Sequence, residues 1–301
     1  MNADQRVVIT GMGIVSPLGI GVTAYHQSLS QGRDGISALS FPWETGYMVN
    51  RAGLVKDFIP SEVAGDDQCP RTTQLAIAAC RMALKEAGFE GHRLLAKTGV
   101  IVGTAMGEAL AQENIWRAEK QQHRLSQNNH NIPPMLPNHL INGRIAAHLG
   151  LEGPSYLLTT TCASGNHAIA WASRLLKSGA ADAMLAVGAD TLSYVDILGV
   201  SRLLLQAPDR CRPFDLNRKG LVFSEGAGAL LLEPLHRAKR RGAQILAEVA
   251  GHGLSCDAAG AFSGKVNQVG SLLKAAKEAL REAKREPANI QYISAHVYTT
   301  K

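Results

Sequence analysis

The chain has 301 residues, of which 46% are hydrophobic and 5% aromatic, and its formal net charge is +6. This length suffices for one large or two ordinary domains with a buried core, and no run of about 18 apolar residues is free of charge, which argues against a membrane-spanning helix. The five cysteines are widely spaced, which argues against a disulfide framework or a structural zinc site, and the N-terminus lacks a signal-peptide pattern, so we expect a cytoplasmic protein.

Strands and helices alternate along the chain. In the first part of the chain the pattern predicts a strand at 6–10, helices at 22–31 and 70–88, a strand at 98–104 and a helix near 138–149. A strand at 155–159, a helix ending near 177, a strand at 183–188 and a helix or loop at 191–206 follow. The last part is predicted to contain paired strand segments at 221–225 and 229–233 around a Gly-rich turn, a strand at 245–251, a helix at 268–284 and a strand at 291–295. The continuous apolar run at 98–104 indicates burial on both faces, which is typical of a central parallel sheet. The alternation as a whole predicts a mostly parallel α/β architecture.

The Gly-rich segment after the first strand does not match a dinucleotide-binding fingerprint. Gly11 and Gly13 begin such a pattern, but Pro17 stands beside the position where a third glycine is needed. An acidic partner for a ribose is not evident either. The segment therefore gives little support to a nicotinamide or flavin enzyme.

Cys162 stands where a predicted strand turns sharply into a predicted helix. A helix N-terminus carries partial positive charge and unpaired N–H groups, and both favour a thiolate over a thiol. Cys162 is therefore a candidate nucleophile. Free cysteines are also often small buried core residues, and the local sequence does not decide between these two interpretations.

Four motifs occur together in order over nearly the whole chain, and with them the chain resembles β-ketoacyl-acyl-carrier-protein synthases, the elongating condensing enzymes of the thiolase-like superfamily. The motifs are 7–19 (VVITGMGIVSPLG), 102–107 (VGTAMG), 161–169 (TCASGNHAI) and 212–215 (RPFD) with 220–228 (GLVFSEGAG). The resemblance implies a thiolase-like layered α/β/α/β/α fold. It implies a complete N-terminal half at 1–244, which carries the cysteine, and a C-terminal half of which 245–301 are the beginning.

The resemblance implies acyl transfer to Cys162 from the phosphopantetheine arm of an acyl carrier protein. Decarboxylative Claisen condensation with a malonyl-carrier protein then follows, in fatty acid or polyketide biosynthesis, and no metal or redox cofactor is required. The backbone N–H of Cys162 would supply half of an oxyanion hole. His296 corresponds to the first catalytic histidine of the family, and Thr300 to a threonine that helps hold the pantetheine arm. Glu225 corresponds to a residue that supports the site from behind.

The sequence also departs from the family. The family's His-Gly-Thr-Gly-Thr segment reads His296-Val297-Tyr298-Thr299-Thr300 here, so only the histidine and the last threonine coincide. The family's second catalytic histidine, its lysine and the Gly-rich turn that completes the oxyanion hole would follow beyond Lys301. We therefore expect a C-terminally truncated synthase with impaired condensing activity, or a chain completed by another polypeptide.

The resemblance implies an acidic carrier protein as partner, and a homodimer or a heterodimer with another synthase subunit. Basic residues that could dock the carrier, or form an ordinary solvated surface, are Arg71, Arg210, Arg212, Arg218 and Lys219. The sequence supports neither nucleic acid nor a membrane as partner, because no aromatic residues interleave with the densest basic run. His167 lies about one and a half helical turns after Cys162, so we interpret it as structural.

Two other functions stay open. The chain could be a non-catalytic partner, similar to a chain-length factor, in a synthase heterodimer. Such partners usually lack the cysteine, so Cys162 argues against this function, while the missing second histidine argues for it. A coenzyme A-dependent enzyme similar to thiolase or chalcone synthase fits the sequence around Cys162 less well.

Overall fold

The computed structural model describes residues 6–39, 51–63, 69–89, 95–121, 137–256 and 268–296. The strands in these ranges are β1 (Val7–Ser16), β2 (Gly19–Ile20), β3 (Ile36–Ala38), β4 (Arg51–Gly53), β5 (Thr98–Gly103), β6 (Ser155–Leu158), β7 (Ala183–Asp190), β8 (Gly226–Pro234) and β9 (Ala247–Glu248). The helices are α1 (Val22–Ser30), α2 (Pro60–Val63), α3 (Arg71–Glu86), α4 (Ala109–Gln121), α5 (Leu140–Leu149), α6 (Ser164–Lys177), α7 (Tyr194–Arg202), α8 (Leu235–Arg240) and α9 (Gln268–Ala283). Short 3-10 turns cover Thr161–Ala163 and Pro287–Asn289.

Most of the predicted helices and buried strands are present with ends that shift by a few residues. The predicted paired segments around 226–228 are wrong, because Gly226–Pro234 forms one continuous strand. Gly226 and Gly228 do not turn the chain there. Gly226 lies against the backbone of β1, where an added Cβ would come 2.8 Å from the carbonyl oxygen of Val15. Gly226 thus serves close strand packing, whereas a Cβ added at Gly228 would meet its nearest atom at 4.0 Å, and local sequence does not distinguish either residue from a turn glycine.

The described strands form one seven-stranded sheet in the order β2-β1-β8-β7-β5-β6, with β9 pairing to β1. Strand β5 pairs in parallel with β6 and β7, whereas β8 is antiparallel to both β7 and β1. The expectation of a mostly parallel sheet is therefore wrong for the β1–β8 side. Continuous apolar runs report burial on both faces, and a central antiparallel strand covered by helices on both sides has the same pattern.

Helices α3 and α5 pack on one face of this sheet, and α6 packs on the other. Consecutive strand residues divide between the two faces, so Leu185 and Leu231 join the α3 and α5 core while Met184 and Leu232 join the α6 core. We call these the α3 face and the α6 face. Helix α3 lies very close to strand β1, because a Cβ added at Gly13 would overlap the carbonyl oxygen of Ala79.

The segment after β9 is attached to the cysteine helix through polar contacts. Lys177 Nζ at the end of α6 lies 2.6 Å from Glu282 Oε1 on α9, and Glu282 Oε2 accepts a hydrogen bond of 2.8 Å from the backbone N–H of His252. Gly251 and Gly253 let α9 approach so closely that an added Cβ at either would overlap helix backbone. Helix α9 is therefore held against the same layer as α6.

Two strands predicted in this last region differ from the structure. The expected strand at 245–251 is reduced to Ala247–Glu248, and the described part of 291–295 is extended but unpaired in any sheet. Tyr292 and Ile293 are largely exposed there, so the apolar pattern that predicts a strand has no neighbouring strand to pack on among the described residues. No helix in the described ranges is long and apolar enough to cross a membrane.

Candidate active site

Cys162 lies in the 3-10 turn that joins β6 to α6, and its side chain is exposed. The predicted sequence of strand, sharp turn and helix is present here. Thr161, immediately before the cysteine, has φ 51°, in the left-handed region that a β-branched residue rarely adopts. The turn therefore places Cys162 at the N-terminal end of α6, where the partial positive charge of the helix is greatest.

The four other thiols have different environments. Cys80 lies on α3 in the core with no exposed surface, and burial raises the pKa of its thiol. Cys211 and Cys256 are exposed, and Cys69 is half-buried. Among the five, Cys162 alone combines exposure with a helix N-terminus, because Cys211 and Cys256 lie in loops.

Two cavities meet at Cys162. One, of about 660 Å³, is lined by Ser16, Arg33, Asp190 and Glu225 as well as by the cysteine turn. The other, of about 480 Å³, is more apolar and lies on the α6 face, bounded by Met12, Val22, Tyr25, Ile169 and Leu230. Cys162 thus borders two cavities, of which the larger carries charged side chains in its lining and the smaller is more apolar.

Asp190, at the end of β7, fixes the loop that follows β5. Its carboxylate accepts hydrogen bonds from Thr104 Oγ1 at 2.7 Å, from the N–H of Met106 at 2.9 Å and from the N–H of Ala105 at 3.0 Å. Sequence reasoning missed this residue. The signal that could have found it is a carboxylate directly after a buried strand, where the carboxyl ends of parallel strands assemble sites.

Glu225 is buried at the back of the larger cavity and has three hydrogen-bond donors. Its Oε1 accepts from Arg71 Nη2 at 2.7 Å and from the N–H of Val55 at 2.9 Å, and its Oε2 accepts from Arg71 Nε at 2.9 Å. The bond to Glu225 raises the pKa of Arg71. Arg71 also donates to the carbonyl of Val55 and stacks on Phe58. It is therefore engaged within the protein rather than presented at the surface.

The other basic residues considered for docking share one loop. Arg210 and Lys219 are exposed there, while Arg212 pairs with Asp209 and Arg218 Nη1 donates to the carbonyl of Asp215. Phe214 and Leu216 on the same loop are also strongly exposed. The structure thus separates Arg71 from a loop that combines basic and apolar side chains.

The two histidines lie in different places. His296 is exposed on the extended segment that follows the turn at 287–289, and it lines neither of the two cavities. His167 Nδ1 lies 3.0 Å from the hydroxyl of Thr160, just ahead of the cysteine turn. Thr300 lies outside the described residues. Cys162, Asp190 and Glu225 together line the larger cavity.

Comparisons with known proteins place this geometry in a family. The model of the β-ketoacyl synthase N-terminal domain matches residues 4–238, and that of the C-terminal domain matches 246–301. The chain is 33% identical to 3-oxoacyl-[acyl-carrier-protein] synthase 2 of Staphylococcus aureus (strain COL), over 100% of this chain and 74% of the relative. It is 34% identical to nodulation protein E of Rhizobium sp. (strain N33), over 99% of this chain and 74% of the relative.

Solved structures agree with these relatives. The ishigamide ketosynthase/chain length factor matches with a TM-score of 0.88 and 33% identity, over 96% of this chain and 72% of that one. A type II polyketide ketosynthase solved with its acyl carrier protein, AntDE:AntF, matches with a TM-score of 0.83 and 27% identity, over 98% and 74%. With a mixed α/β fold of the thiolase-like type, the chain belongs to the β-ketoacyl synthase family of condensing enzymes.

Proposed function

We propose that Cys162 is the residue that accepts the acyl group in this condensing enzyme. The exposed thiol at the N-terminus of α6, in the lining of both cavities, is the observation that carries the proposal. The sulfur attacks the thioester carbonyl of an acyl chain borne on the phosphopantetheine of a carrier protein. The new C–S bond forms as the bond to pantetheine breaks, and the pantetheine thiol leaves with the proton.

The second step is carbon–carbon bond formation. A malonyl thioester on a carrier protein loses carbon dioxide, and its C2 carbanion attacks the acyl carbon on Cys162. The cysteine thiolate is the leaving group, and a β-ketoacyl thioester is the product. We propose that His296 stabilises the negative charge that develops in this step, and that Thr300 helps hold the pantetheine arm.

We further propose that residues 1–244 form the cysteine-bearing half and that 245–301 belong to the second half of the fold. The curated relatives are longer, since the chain spans 74% of their length. Apolar side chains stand exposed on α9 and on the segment after it, namely Leu272, Leu273, Ile290, Tyr292 and Ile293. Side chains of this kind fit a surface at which this segment packs against another part of a condensing enzyme.

The proposed macromolecular partner is an acyl carrier protein, which supplies both thioesters. The basic and apolar loop at 210–219 supports such docking, because acidic carriers need both charge and an apolar contact. Arg71 is no longer a docking candidate, since it is committed to Glu225. Pairing with a second synthase subunit, like or unlike, belongs to the same proposal.

A non-catalytic subunit similar to a chain-length factor is the second candidate. The likeness to a solved ketosynthase/chain length factor favours it, and the exposed cysteine at the turn argues against it. The two candidates differ in one property. A catalytic chain takes up an acyl group covalently, whereas a subunit that only shapes the pocket of its partner does not.

Acyl transfer to the purified chain tests the proposal directly. The chain is mixed with carrier protein loaded with a short or a long acyl group, and the mass of each cysteine-containing peptide is measured. We expect one acyl adduct on Cys162, loss of the adduct in Cys162→Ala, and an unchanged adduct in the matched control Cys211→Ala. If the wild-type chain stays unacylated while iodoacetamide still alkylates Cys162, the chain-length-factor function takes its place.

A further inference from the structure

The turn that carries Cys162 is fastened by one buried hydroxyl. Ser164 is 2% exposed and opens α6 two residues after the cysteine. Its Oγ accepts a hydrogen bond from the N–H of Thr160 at 2.8 Å and donates toward the carbonyl oxygen of Thr161 at 2.7 Å. One side chain thus binds both residues that precede Cys162.

The same hydroxyl also reaches a second segment. Ser164 Oγ lies 3.0 Å from the carbonyl oxygen of Thr104, at the start of the loop that Asp190 holds. Since a serine hydroxyl carries a single proton, the carbonyls of Thr104 and Thr161 share it. Ser164 therefore couples the cysteine turn to the loop that lines the larger cavity.

The surrounding backbone makes this coupling rigid. Gly103, at the end of β5, lies directly on the peptide that joins Ser164 to Gly165, so an added Cβ there would overlap backbone atoms. Thr161 is held at φ 51°, and unusual backbone angles of this kind persist only where neighbouring groups fix them. The Ser164 hydroxyl is the side-chain group that holds the carbonyl of Thr161 in this orientation.

We propose that Ser164 is a positioning residue for Cys162, which holds the strained turn so that the thiol stays at the N-terminus of α6. The inference rests on the proposed function of Cys162 as acyl acceptor. Ser164 does not touch the reacting atoms. It acts through the backbone of Thr160 and Thr161, and without its hydroxyl the turn relaxes and Cys162 moves from its place at the N-terminus of α6.

The test measures alkylation of individual thiols by iodoacetamide, read by mass spectrometry of the full chain after digestion. Cys211 gives an internal reference, because it is exposed and remote in sequence from the turn. Cys80 reports unfolding, because it is fully buried in the folded chain. The variants are Ser164→Ala, Ser164→Thr, which keeps a hydroxyl, and the matched control Ser173→Ala. Ser173 is buried on the same helix, and its Oγ has no hydrogen-bond partner among the described residues.

We expect the ratio of Cys162 to Cys211 labelling to fall about tenfold in Ser164→Ala, to stay within about twofold of wild type in Ser173→Ala, and to recover in Ser164→Thr. An unchanged ratio in Ser164→Ala with Cys80 unlabelled overturns the proposal, as does a Thr variant as poor as the Ala variant. If Cys80 becomes labelled in Ser164→Ala, that variant has unfolded and Ser164→Thr provides the test. A wild-type ratio of Cys162 to Cys211 labelling in Ser164→Thr then supports the positioning role, and a reduced ratio refutes it. The readout needs no acyl donor, so it is independent of whether Cys162 accepts an acyl group.

Discussion

The α3 face and the α6 face of the sheet use the same strands differently. On the α3 face, which we call the foundation, glycines of β1 let α3 lie against the strand backbone, and large side chains such as Leu75 and Leu231 are fully buried. On the α6 face, Met184 and Leu232 are fully buried too, but other residues of the same strands line the cavity beside Cys162. The foundation is closely packed, whereas the α6 face combines a packed core with open space at the cysteine turn.

Charged groups join elements on both sides of the sheet. On the α3 face, the buried carboxylate of Glu233 accepts from Thr10 Oγ1 and from Arg241, which also stacks on Phe89. At the site, Asp190 accepts from backbone N–H groups of the loop after β5, whereas Glu225 binds both the N–H of Val55 and the side chain of Arg71 at the start of α3. Asp190 thus holds loop backbone in place, while Glu225 and Glu233 also join packed elements.

The largest expected effect comes from adding one methyl group to each face. Gly13→Ala places a Cβ into the carbonyl oxygen of Ala79, so we expect a loss of at least about 3 kcal/mol in the free energy of unfolding. Gly228→Ala, on the neighbouring strand and facing the other side, meets its nearest atom at 4.0 Å and should change stability by less than about 1 kcal/mol. Urea unfolding of both variants gives the comparison, and equal losses would show that the two faces are packed alike.

A smaller effect separates two adjacent leucines of β8. Leu231 is fully buried on the α3 face, and Leu230 is half-buried beside the apolar cavity. Leu231→Ala should lower the free energy of unfolding by about 3 kcal/mol and Leu230→Ala by about 1 kcal/mol, because a site that already borders empty space loses fewer contacts. Thermal and urea unfolding measure both. A Leu230→Ala variant as unstable as Leu231→Ala would contradict an open α6 face.

The smallest effect concerns Glu108, which is buried against α3 and accepts a hydrogen bond from Thr73. Burial raises the pKa of this carboxyl group. The folded state therefore holds the proton more tightly than the unfolded state. The stability that this carboxyl group contributes is fully present below its pKa in the unfolded chain. It is lost as the pH rises through its pKa in the folded chain.

Glu108→Gln removes this titration. We expect the variant to be more stable than wild type at neutral pH and its stability to change less between acid and neutral pH. Urea unfolding across that range measures both slopes. If the variant had the same pH dependence as wild type, ionisation of Glu108 would cost no free energy in the folded chain. That result would contradict a pKa raised by burial.

Much of the scaffold follows from sequence pattern. Apolar spacing predicts α3 from 70–88 against an observed Arg71–Glu86, and the β5 and β7 runs are found nearly where the pattern places them. The direction of β8 is not predictable in the same way, because it depends on which strands, far apart in the sequence, become its neighbours in the sheet. Gly226 and Gly228 predict a turn locally, yet both lie in β8, which pairs with a strand more than two hundred residues earlier in the chain.

The candidate site was also only partly predictable from sequence. Local physics makes Cys162 a candidate nucleophile, as a thiol between a strand and a helix, and only the set of motifs favours that interpretation over a buried core cysteine. Asp190, Ser164 and the partner of Arg71 depend on contacts between segments far apart in sequence, such as the 154-residue separation of Arg71 and Glu225. Residue type names a possible donor or acceptor, but only the fold shows which group it reaches.

The placement of the thiols decides the order in which an oxidant acts on this chain. Cys80, the thiol within the α3 face, is shielded and its raised pKa keeps it protonated, while Cys162 meets solvent at the turn. Sulfenic acid formation follows thiolate character and exposure. On the proposed role of Cys162 as acyl acceptor, peroxide that forms a sulfenic acid there would block acyl transfer while the core around Cys80 stays folded, and a thiol reductant would reverse the block without refolding.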